Sequence, residues 1–282
     1  MSRNGLVRCT VGPVTVWQLE RWAARGIVHG FTERGGGVSR PPFDSLNFGL
    51  HVGDDVELVL ENRRRLCQVF GMSASTLVAG EQVHGARVAV VTAADMGRGA
   101  ARAEEAIPGV DALVTRERGP LLIGFFADCV PVLLVDPETP AVGLVHAGWR
   151  GTWQGVAARA VEAMVRAFGT RPQSLEAVLG PSIGPCCYEV GPEVVERFAN
   201  WAVSPIRARN GRMYLDLWAA NRHLLTAAGV PAGNICTAAI CTRCRSDRFF
   251  SYRAAGGRTG RMAAVIGLSM PAAHGSAAAQ SG

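Results

Sequence analysis

The most apolar part of the chain lies in its middle and consists of three short runs separated by polar residues. Segments 121–126, 130–135 and 141–145 are continuous apolar stretches of strand length. A strand with one solvated face alternates apolar and polar positions, whereas a strand covered on both faces does not. The three runs therefore predict strands that are buried on both faces.

Segments with helical and strand-like periodicity alternate over the rest of the chain. Helices are predicted over 55–70, 152–168 and 216–228, and further strands over 27–31, 87–92, 175–179, 234–237 and 262–268. Thr152 is the expected N-cap of the second helix. The apolar positions expected near one face of the first helix are Val56, Leu60, Cys67 and Phe70.

This alternation predicts an α/β fold: a single domain with a buried mixed β-sheet flanked by helices. The domain is expected over residues 27–270, because no linker or internal repeat interrupts it. Residues 1–26 form a weakly patterned N-terminal segment. Residues 271–282 are rich in Ala, Ser, Gly and Gln and are expected to form a disordered tail.

Composition narrows the functional classes. Of 282 residues, 48% are hydrophobic and 18% are charged, so a large core is available and global disorder is excluded. The net charge of +6 comes mainly from dispersed arginines. This pattern favours small anionic substrates and predicts no nucleic-acid partner, since a nucleic-acid groove normally shows clustered basic residues.

The chain also carries sequence signals about its location. Its beginning lacks the apolar core of a signal peptide, and no segment reaches the ~18 apolar residues of a membrane-spanning helix. We therefore expect a cytoplasmic protein without a membrane partner. In that compartment the eight cysteines are expected to be reduced thiols or metal ligands, not disulfides.

Polar residues interrupt the buried strands at three places. His84, Cys129 and His146 each lie in such a break, and unpaired burial of a polar group costs on the order of 1–3 kcal/mol. Two imidazoles and one thiolate would make a three-ligand site for zinc or copper, with a fourth position open for water or substrate. The spacing leaves two alternatives open: ordinary structural residues, or Cys129 as a nucleophile with His146 as its base.

Several neighbours of these breaks are candidates for other roles. Asp128 directly precedes Cys129 and Glu81 lies three residues before His84, so each is a candidate for proton transfer or for holding an imidazole N–H. Arg150 is the strongest single candidate for an anion contact. Other substrate-binding candidates are Arg34 and Ser39 in the glycine-rich segment 34–40, together with Asn47 and His51.

The remaining cysteine motif carries less information. Cys241 and Cys244 form a CxxC pair, and Cys186 and Cys187 are adjacent in sequence. One CxxC pair without a second well-spaced pair is weak evidence for structural zinc. From the sequence, these four residues are expected to be ordinary thiols.

Six co-linear motifs give the chain a resemblance to a known family. They cover the segments 31–39, 45–54, 81–85, 127–132, 146–151 and 179–185, and the closing stretch 249–262 is similar as well. The chain resembles the YfiH-like family, also called the laccase-domain or multicopper polyphenol oxidase family. The resemblance implies a single-domain, YfiH-like (cysteine-hydrolase-like) α/β fold and a metal site at His84, Cys129 and His146. Gln82 and Arg253, which lie within the motifs, are placed among the substrate-binding residues.

The resemblance also implies a function. It implies phosphorolysis of adenosine, inosine and S-methyl-5′-thioadenosine, with phosphate as co-substrate, and deamination of adenosine. For that chemistry Arg150 is the candidate for the phosphate contact, and Asn47 and His51 are candidates for the ribose or base. We also expect the protein to be a monomer. Family members have also been called polyphenol oxidases and peptidoglycan-precursor editing enzymes, so a copper oxidase and a Cys/His hydrolase stay open as alternatives. One departure is that Ala254 and Ala255 follow Arg253 where the family usually has a second Arg and an Asp.

Overall fold

The computed structural model describes residues 5–269, which form fifteen strands and six α-helices. The predicted tail over 271–282 lies outside the described residues. The strands are β1 Leu6–Val11, β2 Val14–Leu19, β3 Ile27–Thr32, β4 Leu77–Ala79, β5 Val88–Val90, β6 Ala112–Thr115, β7 Leu121–Phe126, β8 Val130–Asp136, β9 Ala141–Ala147, β10 Glu176–Leu179, β11 Glu189–Val190, β12 Ile206–Arg209, β13 Arg212–Leu215, β14 Ile235–Thr237 and β15 Met262–Leu268.

The helices are mostly short. They are α1 Glu20–Ala23, α2 Val56–Val69, α3 Trp149–Trp153, α4 Val156–Phe168, α5 Pro192–Arg197 and α6 Leu217–Ala227. No helix of the described part of the chain is long and apolar enough to cross a membrane.

Two six-stranded mixed sheets carry the fold. The first has the order β1-β2-β3-β15-β7-β4 and the second the order β14-β10-β8-β9-β6-β5. Most neighbours are antiparallel, and the parallel pairs β4–β7, β10–β14 and β5–β6 lie at sheet edges. A small sheet, β11-β13-β12, is added outside them. The prediction of a mixed α/β fold is confirmed, with two large sheets where the sequence suggested one.

The two large sheets pack face to face, and helices cover their outer faces. Leu122 and Phe126 of β7 share a core cluster with Leu133 and Leu144 of the second sheet. The residues of β7 that point to the other face, Leu121, Ile123 and Phe125, pack with α2. Helices α4 and α6 cover the second sheet. Each central strand is therefore covered on both sides, which confirms the burial predicted from the apolar runs.

Three details of the predicted helices are wrong. The second predicted helix is split, and Gly155, with a left-handed φ of 80°, precedes α4. Thr152 is buried inside α3 and its hydroxyl accepts a hydrogen bond from Asn221, so it is not the N-cap of the long helix. On α2, Val56 is 47% exposed, and the buried face includes Asn62 and Arg63.

The N-terminal segment has more structure than its pattern suggests. β1 and β2 pair as an antiparallel hairpin, and β2 continues into the first sheet through β3. Because residues 6–19 extend this sheet, they belong to the same fold as the predicted domain.

Candidate metal centre and cavity

The three predicted donor residues meet where the chain passes between the two sheets. Cys129 lies in the turn from β7 to β8, His84 lies in the connection from β4 to β5, and His146 belongs to β9. The antiparallel register of β8 and β9 pairs Val130 with Ala147. The ligand atoms of the three residues lie within 4.8 Å of one another.

Asp111 holds two of the donors and was missed by the sequence analysis. Its carboxylate accepts hydrogen bonds from the backbone N–H groups of His84 at 2.9 Å and Gly85 at 2.6 Å. It also bonds Nδ1 of His146 at 2.8 Å. This contact fixes the imidazole of His146 so that Nε2 is the nitrogen left for a ligand. The signal in the sequence was a charged residue directly before the apolar segment of β6.

The backbone next to the three donor residues adopts rare conformations and approaches the donor atoms closely. His84 and Asp128 have positive φ values of 59° and 91°, a conformation that L-residues rarely adopt. A Cβ on Gly148 would lie 2.9 Å from Cys129 Sγ and 3.0 Å from His84 Nδ1. Glycine at this position therefore lets the β9 end approach the donors.

Cys129 and His146 influence each other's protonation. Burial alone raises the pKa of the Cys129 thiol, but the charge of His146 and hydrogen bonds from both imidazoles outweigh burial and lower it to about 6. Burial lowers the pKa of His146, and the thiolate together with Asp111 raises it to about 9. Without a metal, the pair is therefore a thiolate and an imidazolium.

The donor set fits a catalytic metal ion. Two imidazoles and a thiolate are ligands that suit zinc and copper, and three protein ligands leave a coordination position open. Asp111 supplies the outer hydrogen bond that metal-binding imidazoles usually have. Cys129, His146 and Asp111 also have the arrangement of a Cys–His–Asp triad. The geometry therefore supports either metal-dependent chemistry or nucleophilic catalysis by the thiol.

A cavity of about 730 Å³ opens next to the donors. Its volume is in the range of small-molecule sites. Aromatic side chains line it, among them Phe125, Tyr188 and Tyr252. Four arginines also line it: Arg63, Arg150, Arg253 and Arg261.

Among residues 5–269, none of these four arginines forms a salt bridge with a carboxylate, although the carboxylates of Asp128 and Glu81 also line the cavity. The buried guanidinium of Arg63 donates to the carbonyls of Phe48, Gly99 and Ala100. Arg253 and Arg261 likewise donate to carbonyl oxygens. Since carbonyls carry no net charge, the cavity is suited to an anion. Arg63 and Arg261 were missed by the sequence analysis; the signal for Arg63 was a charge on the apolar face of α2.

Four predicted substrate- or anion-binding residues line the cavity, as do the two predicted proton-transfer candidates Asp128 and Glu81. Arg150 is exposed and stacks on Trp149 with its guanidinium carbon 4.6 Å from the ring centre. His51 lies near Phe125, and desolvation, together with the charges of Arg261 and Arg63, lowers its pKa to about 4. The other two are Gln82 and Arg253.

Gln82 and Asp128 also have structural contacts that occupy their polar atoms. The amide of Gln82 makes two hydrogen bonds to the backbone of Phe125, at 3.0 and 2.8 Å. The two carboxylate oxygens of Asp128 accept from the Thr242 hydroxyl at 2.6 Å and from the Arg253 backbone N–H at 2.7 Å. Both residues therefore fix the loops that form the cavity wall.

Three predicted substrate-binding residues are not brought to the cavity. Arg34 donates to the carbonyl of Asp44 and stacks on Phe250. Ser39 and Asn47 are buried and belong to a network that fixes segment 34–49 against α2. The glycine-rich segment is closely packed as well, since a Cβ on Gly36 would lie 1.9 Å from a backbone oxygen.

The structure does bring together the four cysteines that the sequence left as ordinary thiols. The sulfur atoms of Cys186, Cys187, Cys241 and Cys244 lie within 4.8 Å of one another. Two loops distant in sequence provide them.

Two packed mixed sheets, with a two-histidine, one-cysteine donor set at their crossing, define a class of α/β proteins with a candidate catalytic metal centre. The chain belongs to the family described as multi-copper polyphenol oxidoreductase laccase, whose family model matches residues 28–269. This confirms the resemblance carried by the sequence motifs.

Relatives of known name and structure are similar over nearly the whole chain. The protein named purine nucleoside phosphorylase YlmD from Geobacillus stearothermophilus is 46% identical, with 94% of each chain covered. A protein named adenosine deaminase RL5, from an unknown prokaryotic organism, is 42% identical over 82% of this chain and 89% of the relative. The crystal structure of YlmD from Geobacillus stearothermophilus superposes with a TM-score of 0.90 at 42% identity, covering 95% of this chain and 100% of that one.

Proposed function

We propose that the protein is a metal-dependent purine nucleoside enzyme. It phosphorolyses adenosine, inosine and S-methyl-5′-thioadenosine to the free base and the (methylthio)ribose 1-phosphate, and it deaminates adenosine. The observation that carries the proposal is that a three-donor set with an open position faces a cavity lined by four arginines that form no salt bridge among the described residues. The names of two relatives, a purine nucleoside phosphorylase and an adenosine deaminase, support it.

The metal is zinc in this proposal, held by His84, Cys129 and Nε2 of His146. Zinc with three protein ligands acts as a Lewis acid and makes water a good nucleophile near neutral pH. Copper fits the same donor types and is the alternative metal. Asp111 keeps both histidine-bearing segments in place.

Phosphorolysis needs phosphate next to the ribose. The new bond joins a phosphate oxygen to C1′ of the ribose while the bond from C1′ to the purine nitrogen breaks, and the base takes up a proton. Arg150 is our candidate for holding the phosphate, because a guanidinium offers two parallel N–H donors to an anion. Arg253 lies on the same cavity wall and adds positive charge.

The purine would bind between aromatic side chains. Phe125, Tyr188 and Tyr252 line the cavity and offer flat apolar faces for a planar base. His51 lies beside Phe125, with ring centres 6.3 Å apart, and its lowered pKa keeps the imidazole neutral at pH 7. A neutral His51 could accept a hydrogen bond from the ribose or the base.

Deamination needs a group that moves protons. Two carboxylates line the cavity, and both oxygens of Asp128 are occupied by Thr242 and Arg253. Glu81 accepts from the Gly109 N–H with Oε2. Its second oxygen makes Glu81 the better placed of the two for proton transfer.

A second candidate function rests on one observation. Cys129, His146 and Asp111 line up as a nucleophile, a base and an orienting carboxylate. A Cys/His hydrolase, such as one that edits peptidoglycan precursors, would use this triad without a metal. A copper-dependent polyphenol oxidase has less support, because within residues 5–269 only one of the two candidate metal clusters contains histidine.

Removal and return of the metal tests the proposal. The purified protein is incubated with adenosine and phosphate, before and after chelation and after addition of zinc, and the products are separated by liquid chromatography. We expect adenine and inosine, loss of both after chelation, and recovery with zinc. Hydrolytic activity that remains after complete removal of the metal would favour the Cys129–His146–Asp111 triad.

Cytoplasmic location and a monomeric state stay predictions from the sequence.

A further inference from the structure

The four-cysteine cluster lies outside the cavity and has no part in the proposed reaction. Cys186 and Cys187 lie in a turn after β10, and Cys241 and Cys244 lie in the turn after β14. Cys241 is buried, while Cys186 and Cys244 are exposed. The cluster is therefore reachable from solvent but anchored to the core at one residue.

The spacing of the sulfur atoms matches a metal site better than it matches a bond between them. The Sγ atoms of Cys186 and Cys187 lie 3.6 and 3.4 Å from Sγ of Cys244. A disulfide needs about 2.05 Å between sulfurs. A tetrahedral zinc ion with Zn–S bonds of about 2.3 Å places its sulfurs about 3.8 Å apart.

Backbone N–H groups point at the sulfur of one member of the cluster. The N–H of Gly184 donates to Sγ of Cys241 at 3.3 Å, and the N–H of Cys244 points to the same sulfur. Such donors stabilise a sulfur that carries negative charge, and metal-bound thiolates are commonly held in this way.

A cation also lies against the cluster. Arg209 donates a hydrogen bond to the carbonyl of Cys186 at 2.8 Å and is close enough to interact electrostatically with Cys186 and Cys187. Four thiolates around one Zn²⁺ carry a net charge of −2. The guanidinium of Arg209 offsets part of that charge.

We propose that Cys186, Cys187, Cys241 and Cys244 form a closed, structural zinc site, separate from the donor set in the cavity. Four thiolate ligands complete a tetrahedron and leave no open position, so the ion holds structure and performs no chemistry. Binding converts the thiols to thiolates and releases their protons to solvent.

This zinc would fix one wall of the cavity. The two loops already meet through backbone hydrogen bonds from Ser182 to Ile240 and from Thr242 to Ser182. Thr242 holds Asp128, the residue before Cys129, and Tyr188 lines the cavity one residue beyond Cys187. A metal that joins the loops therefore supports the position of Asp128 and Tyr188 without contacting substrate.

Metal analysis of variants tests this proposal independently of the first site. Protein purified without chelators is analysed for zinc per chain as wild type, as the double variant Cys186→Ser/Cys244→Ser, as His84→Ala, and as the control Cys9→Ser, whose cysteine lies in β1. We expect the double variant to lose one zinc equivalent and to melt at a lower temperature. His84→Ala should keep that equivalent, and Cys9→Ser should match the wild type.

If the double variant does not fold, a second measurement, made on the wild type, still tests the proposed zinc site. Iodoacetamide is added with and without a strong chelator, and the modified cysteines are identified by peptide mass spectrometry. The proposed site is supported if the four cysteines are protected from iodoacetamide and lose this protection when the chelator is added. It is supported further if replacement of zinc by Co²⁺ produces thiolate-to-cobalt charge-transfer absorption. Unchanged zinc content in the double variant, equal modification with and without chelator, or a disulfide among these cysteines would overturn it.

Discussion

The two sulfur-containing clusters of this chain differ in donor number, donor type and surroundings. The cavity cluster has two imidazoles and one thiol, and its members line a cavity of about 730 Å³. The other cluster has four thiols in two surface turns. Three ligands leave room for substrate chemistry and four do not. If both proposals hold, the comparison teaches that similar residues serve a reaction where a coordination position stays open and join two loops where four ligands close the site.

The largest effect that separates the clusters is expected from Cys129→Ser. Loss of the thiolate removes one of three ligands, so turnover of inosine should fall at least ~100-fold, beyond the usual effect of losing a ligand's supporting contact. Zinc analysis should show loss at the cavity site only. A variant with unchanged metal content would remove Cys129 from the ligand set and favour the triad.

A somewhat smaller effect is expected from Asp111→Asn. Asp111 accepts from the backbone of the His84 loop and fixes Nδ1 of His146, so its loss should weaken metal affinity or activity about 10–100-fold. Competition with a chromophoric chelator measures the affinity. Asp55→Asn, an exposed cap of α2, is the control and should leave it unchanged. Equal affinities in the two variants would contradict the role of Asp111.

A steric change tests how tightly the cavity cluster is built. Gly148→Ala places a methyl group about 3 Å from both Cys129 Sγ and His84 Nδ1, so the donors must separate and zinc affinity should fall about tenfold, the lower end for indirect changes at a metal site. Gly35→Ala, where a Cβ meets open space, is the control. If Gly148→Ala binds zinc as the wild type does, the donors do not need this close approach.

The effect expected from Arg150→Lys is the narrowest, because it is confined to one of the two reactions. Lysine keeps the charge but loses the planar pair of donors, so phosphorolysis should fall about tenfold while deamination, which uses no phosphate, changes less. Rates with inosine plus phosphate and with adenosine alone are compared, and Arg166→Lys on the exposed face of α4 is the control. Equal losses in both reactions would assign Arg150 to the common nucleoside site.

Periodicity predicted the central strands and the main helices because burial on both faces leaves a clear mark on composition. It did not predict that β7 and β8 belong to different sheets, since the turn at Asp128 and Cys129 is defined by backbone geometry that apolar runs do not encode. The face of α2 was misassigned for a related reason: Asn62 and Arg63 are buried through hydrogen bonds to carbonyls, which hydrophobicity does not reveal.

The three donor residues were found from the sequence because each lies between apolar strands or at the end of one, and the family resemblance selected the metal site from the alternatives that the spacing left open. Asp111 and Arg63 were not, as their importance lies in contacts across the fold. The glycine-rich segment 34–40, in contrast, was predicted to bind substrate but does not contribute to the cavity. Its glycines permit close packing against the backbone of neighbouring segments, so the segment is occupied by the protein itself and does not line the cavity.

The most direct test of the central claim is base release from inosine by protein whose zinc content has been verified by elemental analysis. Reactions with and without phosphate are separated by liquid chromatography. The account predicts hypoxanthine and an equal amount of ribose 1-phosphate, formed only when phosphate is present. No free base from any purine nucleoside, with zinc bound, or release that does not depend on phosphate, would contradict it.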